Sequence, residues 1–293
     1  VSFVAGPVAV RVPASSANLG PGFDALGLAL TLHDEITAEV VGAGLDVRVT
    51  GEGRSSVPLD ETHLVVEAMH AAFDLMGGRP DGLRLSCVNA IPHGRGLGSS
   101  SAAIVGGIVL ARALVVGGET LLDDAAAYQL AVDLEGHPDN VAAALLGGLT
   151  IAWIEGAAAE VERLETDVQV TVFVPSAEVS TQKARGLLPE TVPHADAALN
   201  AGRAALLIAA LTGSPGRLIS ATEDRLHQAY RAEAMPASYK LLRQLRVEGV
   251  PAIISGAGPT VLAFARGVAD HAPEGWVVHE LDVDRTGVQV LRA

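Results

Sequence analysis

Lysine is almost missing from this chain: two, Lys183 and Lys240, serve 293 residues, so basic character rests on arginine. The net charge of −14 leaves no basic face for nucleic acid or an anionic membrane. An anionic ligand must therefore be held by local devices such as helix termini and single arginines. Cysteine occurs once, as Cys87, which excludes an internal disulfide and argues against a cysteine metal site. In LRLSCVNA that residue reads as a small buried hydrophobe. Aromatics make up only 3% against 49% hydrophobic residues, so the core has to be built from Ala, Val and Leu. The longest apolar run, residues 102–118, is interrupted by Arg112 and rich in glycine. It falls short of the roughly 20 apolar residues that a membrane span requires. The start, VSFVAGPVAVRV, has no basic region and is broken by Pro7 and Arg11, unlike a secretory signal. A soluble, cytoplasmic protein is expected, with length enough for two domains.

Periodicity divides the chain. VAVRVPAS, LDVRVTGEG and LRLSCVN read as strands, and THLVVEAMHAAFDLMGG places Leu64, Val65, Ala68, Ala71, Ala72 and Leu75 on one helical face. AAIVGGIVLARAL is apolar on every side and predicts a buried helix. DDAAAYQLAVDLEG opens with aspartates suited to a helix N-terminus and stops at Gly136. NVAAALLGG is a short helix, and LTIAWIEG closes the first half as a strand. Beyond residue 157 the pattern restarts with a strand in VQVTVFVP and two helices, ADAALNAGRAALLIAALTG and ASYKLLRQLRVEG. PAIISGAGPTVLAFA reads as strand, glycine turn and strand, and WVVHELDVDRTGVQVL supplies the last strands. The expected organisation is α+β, with domains at 1–156 and 157–293 packed around a site, the second carrying an antiparallel sheet.

Four stretches carry polar groups where chemistry could use them. IPHGRGLGSSS, residues 91–101, looks like a phosphate loop without the lysine of a Walker loop. Its glycines let backbone amides approach an anion, and Ser99, Ser100 and Ser101 add hydroxyls at a helix start; a bare strand-to-helix turn is the plain alternative. SGAGPT, 255–260, is a second glycine turn and equally a tight hairpin. PASSANLGPGFDALG, 13–27, offers Asn18 and Asp24 for a small molecule, although both residue types are also ordinary turn formers. EGHPDN, 135–140, gathers two carboxylates, an imidazole and an amide between helices. Glu135 suits a hard cation such as Mg²⁺, while the backbone there can also be a helix C-cap at Gly136 and an N-cap at Asp139 or Asn140. Arg185 and Arg231 would clamp a carboxylate if they face one pocket; taken singly, each is an ordinary surface charge.

Together these stretches resemble the GHMP kinase superfamily, whose members bind ATP with a Gly-Leu-Gly-Ser-Ser loop. PASSANLGPGFDALG, EGHPDNVAAALLGG, STQKAR and DRLHQAYR are similar to its homoserine kinase branch. The resemblance implies an N-terminal α/β domain with a left-handed βαβ crossover and a C-terminal ferredoxin-like domain. It also implies transfer of phosphate from ATP, with Mg²⁺, to the hydroxyl of L-homoserine in threonine biosynthesis, and a possible homodimer. Carried over, the phosphate-binding set is Pro92, Gly94, Arg95, Gly96, Leu97, Gly98, Ser99, Ser100, Ser101 and Ala102, joined by Gly256 and Gly258. Ser100 and Glu135 would attend the metal. Asn18 and Asp24 would meet the substrate ammonium, and Arg185, Arg231, His137 and Thr181 its carboxylate. Asn140 would lie near the attacking hydroxyl. Asp139 is the candidate base, although a loose phosphoryl-transfer transition state can proceed without one. Thr62 and His63 stand where some relatives carry an adenine-pocket asparagine.

Overall fold

The computed structural model describes residues 1–291. The chain opens with β1 (Val8–Ala17), β2 (Leu26–Val40) and β3 (Gly44–Gly51), then α1 (Leu64–Leu75) and β4 (Gly82–Asn89). Four helices follow: α2 (Ser99–Leu114), α3 (Gly118–Leu121), α4 (Asp124–Glu135) and α5 (Asp139–Leu146). A hairpin comes next, β5 (Leu149–Glu155) and β6 (Ala158–Leu164), then β7 (Val170–Val174), α6 (Thr181–Arg185), α7 (His194–Thr212), α8 (Leu218–Ala221) and α9 (Pro236–Val247). The last strands are β8 (Ala252–Ile254), β9 (Val261–Ala263), β10 (Val277–Leu281) and β11 (Gln289–Leu291).

The first sheet runs β11–β1–β2–β4–β3, with the β5–β6 hairpin attached to β2. The hub is β2, a strand that the sequence pattern did not announce because His33, Asp34 and Glu35 interrupt its apolar run. It pairs β1 throughout, β5 at residues 26–28 and β4 at residues 35–40. Its register with β1 slips at Pro13/Ala14, where the proline has no N–H to give to the ladder. β3 and β4 are parallel and joined through α1, which makes the crossover unit of this sheet. α2 packs against both α1 and β1, and ten of its residues are buried, as its all-round apolar sequence requires. The buried face of α1 is Val65, Val66, Ala68, Met69, Ala72 and Phe73. It is rotated from the expected stripe: Leu75 is exposed, and Met69 and Phe73 point inward. The larger side chains win the contact with α2 because they cover more apolar area.

The second sheet is antiparallel in the order β10–β7–β9–β8. Numbered along the chain that is 4-1-3-2, the ferredoxin-like order, but the second crossover is only a 3-10 turn at Ala269–His271. The boundary expected at 156/157 falls inside the β5–β6 hairpin, so β6 still belongs to the first sheet, and β11 returns to it from the far end of the chain. β7 alternates: Val170, Val172 and Val174 join the large core shared with the first sheet, whereas Phe173 joins a smaller cluster with Leu241, Leu245 and Ile254.

The returning C-terminal segment is tied to β2 by Asp284. Its Oδ1 accepts the Thr286 and Gly287 amides at 2.9 and 2.8 Å, and Oδ2 lies 2.7 Å from His33 Nε2. Burial acts to raise this carboxyl's pKa, but His33 and the amides overcome it and bring it down to about 2. Asp284→Asn keeps an oxygen for the amides and loses the charge opposite His33, so denaturant unfolding near neutral pH should show a loss of roughly 1–2 kcal/mol. A carboxyl depressed from 3.8 stabilises the fold above that value and loses its contribution as pH falls through about 2. The gap between wild type and variant should close across that window.

Candidate active site

The loop after β1 is tightly wound. Asn18, Leu19 and Asp24 all adopt left-handed backbone, with φ of 66°, 47° and 54°. Each is an unfavourable conformation for a residue with a Cβ, of order 1 kcal/mol, and surrounding contacts must hold it. Asn18 supplies the main brace: its Oδ1 accepts the Asp24 amide at 2.9 Å, and its Nδ2 donates to Gly256 O at 2.9 Å. The side chain expected at the ligand thus first fixes the loop to the 255–260 turn of the second sheet.

The glycine–serine loop is wedged between β1 and that same turn. Gly98 sits at φ 71° and Gly96 at φ 73°, both left-handed; a Cβ on Gly98 would lie 2.1 Å from Ser15 Oγ, and one on Gly96 would lie 2.2 Å from Ser255 O. Ser255 Oγ donates to Gly96 O at 2.6 Å and stands 2.8 Å from Ser16 Oγ, while the Gly256 amide donates to Ala17 O at 3.1 Å. α2 begins at Ser99 without a side-chain cap, so its first amides are left for a ligand. Gly94, Gly96, Gly98, Ser99, Ser100, Gly256 and Gly258 line one cavity of about 220 Å³. The rest of the expected phosphate set lies behind it. Leu97 and Ala102 are core residues. Arg95, the one cation of the loop, turns away: its guanidinium donates to Pro175 O, Ser176 O, His93 O and Glu178 Oε1 at 3.0, 2.7, 2.5 and 3.0 Å. Its role here is to strap the loop to residues 175–178. Pro92 lies outside the lining as well.

Between α4 and α5 the polar cluster is built as two short relays. Glu135 Oε1 accepts from Ser100 Oγ at 2.7 Å and from Ser101 Oγ at 2.9 Å. Burial raises the Glu135 pKa, and the two hydroxyls oppose that rise. Ser15 Oγ donates to Asn140 Oδ1 at 2.9 Å, which leaves the Asn140 amide hydrogens free for the cavity. Asp139 is buried; its Oδ1 accepts the Asn140 backbone N–H at 2.8 Å and lies 3.5 Å from His137 Nδ1. That carboxylate raises the His137 pKa against the effect of burial. Gly136 closes α4 in a left-handed conformation, as expected, but the residue capping α5 is Pro138 rather than Asp139 or Asn140.

Opposite this cluster the same cavity is charged. Arg185 NH2 and NH1 donate to Asp24 Oδ1 and Oδ2 at 2.8 and 3.1 Å, a bidentate pair 161 residues apart in sequence. Arg231, one of the largest fully buried side chains, gives Nε to Ala184 O at 3.2 Å, with NH1 3.2 Å from His227 Nδ1. His227 Nε2 in turn donates to Gly20 O at 2.8 Å, so Nδ1 is the acceptor and the ring is neutral. Burial holds that imidazole below its usual pKa, and burial followed by Arg185 lowers Arg231. Phe23 stacks on His227 at 5.1 Å, and the two guanidinium carbons stand 5.9 and 5.3 Å from its ring centre. Asn18, Asp24, His137, Thr181, Arg185 and Arg231 line one cavity with Glu135, Asp139 and Asn140. Ser15, Phe23 and His227 were not singled out in the sequence, although each lies inside a quoted motif; nothing in their residue type signals a supporting role.

A second cavity, about 270 Å³, shares Ser99 and Ser100 with the first and is otherwise largely apolar, with Ile36, Val57, His63 and Cys87 in its wall. Asp34 lies at its edge, its Oδ1 accepting the Ala90 and Ile91 amides at 2.7 and 2.9 Å, and burial lifts its pKa to about 6. Among the described residues no group of three or more His, Cys, Asp or Glu could enclose a metal ion. No helix among them is long and apolar enough to cross a membrane.

Comparison with known proteins agrees with this layout. Residues 63–148 match the family model for the GHMP kinases N terminal domain, and residues 197–276 that for the GHMP kinases C terminal. This chain belongs to the GHMP kinase family. Homoserine kinases of Streptomyces avermitilis and Streptomyces coelicolor are each 57% identical to it, covering 99% of this chain and 97% and 96% of theirs. The crystal structure of homoserine kinase from Cytophaga hutchinsonii superimposes with a TM-score of 0.82 at 23% identity, over 99% of this chain and all of that one, and shows the same fold. Gly96→Ala would set a Cβ against Ser255 O in strained backbone. We expect a loss of about 2 kcal/mol or more in stability and at least tenfold weaker ATP binding, by thermal unfolding and calorimetry.

Proposed function

We propose that this chain transfers the γ-phosphoryl group of ATP to the side-chain hydroxyl of L-homoserine, giving O-phospho-L-homoserine for threonine biosynthesis. One observation carries the reading: a single cavity joins an uncapped helix N-terminus and a buried carboxylate to a pocket holding one carboxylate and two arginines. The first half suits a triphosphate, and the second suits an amino acid.

In this reading the amides at the start of α2 and the hydroxyls of Ser99 and Ser100 receive the phosphates. The apolar second cavity, which begins at the same serines, takes the adenine ring. Ser100 and Glu135 fit Mg²⁺, since both are hard oxygen donors and phosphate oxygens complete such a site. The ion would supply positive charge that this loop, with Arg95 turned away, does not. Asp24 receives the substrate ammonium, Arg185 and Arg231 its carboxylate, and Thr181 and His137 the space between. Asn140, its oxygen held by Ser15, directs N–H groups at the reacting oxygens. Asp139 is the nearest carboxylate to take the hydroxyl proton. With Oδ1 already accepting the Asn140 backbone N–H and facing His137, it would have to act through Oδ2. Positioning and charge stabilisation supply most of the rate enhancement in phosphoryl transfer, so the base contributes the smaller share.

The direct test is ADP release with Mg-ATP and a panel of L-homoserine, L-threonine, mevalonate and galactose, with product mass determined. Homoserine-dependent phosphohomoserine is expected; turnover of another alcohol alone would reassign the charged pocket. Glu135→Gln should lower kcat by about 10²-fold or more with little change in Tm. Near-normal turnover would remove Glu135 from the site. Arg231→Ala should raise KM for homoserine by at least about tenfold and leave KM for ATP nearly unchanged.

A further inference from the structure

The groups assigned to opposite ends of the amino acid, Asp24 and Arg185, are bound to each other. We infer that this bidentate ion pair holds the place of the substrate's own zwitterion, and that binding is an exchange of partners which selects ligands carrying an ammonium and a carboxylate together. The inference rests on the homoserine reading above and deepens it.

Three observations carry it. Both side chains are a little over one-third exposed at the cavity wall, at 37% and 38%, so a ligand can reach both members of the pair. Arg231 has no carboxylate partner among the described residues. Its direct contacts are a backbone carbonyl and a neutral imidazole, so its positive charge stands beside the pair with no carboxylate in contact. Phe23 keeps both guanidinium groups within 6 Å of its ring, which limits how far Arg185 can withdraw once Asp24 releases it. A carbon bearing both charges presents the complement of the pair. Its ammonium replaces Arg185 on Asp24, and its carboxylate replaces Asp24 on Arg185 and adds Arg231. Every charge ends with a partner. A ligand with a carboxylate alone must strip Arg185 from Asp24 and leave that carboxylate bare. A ligand with an ammonium alone leaves two arginines without an anion. Each omission costs the desolvation of an unpaired charge.

The test measures dissociation constants of L-homoserine, γ-hydroxybutyrate (no ammonium) and propanolamine (no carboxylate), with Mg-ADP present, in wild type, D24N and R185Q. Asparagine tolerates the left-handed backbone at position 24, so D24N should fold, and unchanged Mg-ADP affinity checks this. Wild type should bind either single-charge ligand at least about tenfold more weakly than homoserine. D24N should weaken homoserine by at least about tenfold yet tighten γ-hydroxybutyrate by about threefold or more, because Arg185 no longer has to be won from a carboxylate. R185Q should likewise tighten propanolamine, which gives a second, independent readout. Failure of both single-charge ligands to gain affinity in their variants would overturn the exchange. Wild type that ignores homoserine, while D24N gains affinity for γ-hydroxybutyrate, would keep the exchange and remove the homoserine assignment instead.

Discussion

Everything in the site depends on one close approach: Gly96 lies so near Ser255 that no side chain can stand between them. Across that contact the glycine–serine loop of the first sheet meets the glycine turn of the second. Ser16 and Ser255 seal the junction with hydroxyl contacts, and Asn18 crosses it to Gly256. The distance between the start of α2 and the charged pocket is thereby set by backbone contact rather than by flexible side chains. In-line phosphoryl transfer needs that kind of fixed separation. Arg95 adds to the same junction by holding residues 175–178, the stretch that leads from β7 to the arginine-bearing α6.

The pocket solves a charge problem peculiar to this composition. In a protein of net charge −14, one arginine of the pocket, Arg231, is buried and the other, Arg185, is a little over one-third exposed. Burial alone would make such charges costly. Here the cost is offset locally: Arg231 rests on Phe23, a carbonyl and a histidine locked in one tautomer, and Arg185 is neutralised by Asp24. Ser15 and Asn18 act in the same spirit on the polar side. Each fixes a neighbour's orientation so that the cavity meets defined donors.

Much of this was legible in the sequence because glycine, apolar periodicity and short polar clusters have local causes. The buried α2, the stop of α4 at Gly136, the strand β7 and the strand–turn–strand around SGAGPT follow from residue patterns within about a dozen positions. Glu135, His137 and Asn140 stand out locally as a dense polar cluster, whereas Asn18 and Asp24 read locally as turn formers and Arg185 and Arg231 as surface charges, and only the family resemblance marks these four as site candidates. β2 escaped because its polar interruption breaks the strand pattern, although its pairing with β1, β4 and β5 makes it the hub of the sheet. The inward face of α1 was misplaced because its amphipathic stripe is broad, and the neighbour α2 chooses among the possible rotations.

Residue types and their order set the inventory: which residues can bend the chain, cap a helix, carry charge or fill a core. Tertiary structure alone decided their partners. It sent Arg95 to the backbone of residues 175–178, joined Asp24 to Arg185, set Ser15 against Asn140 and returned β11 to β1. Local patterns reflect backbone conformation and side-chain burial, which act over a few residues. Partner choice reflects electrostatics and close packing between segments 80 or more residues apart, and these exist only once the chain has closed on itself.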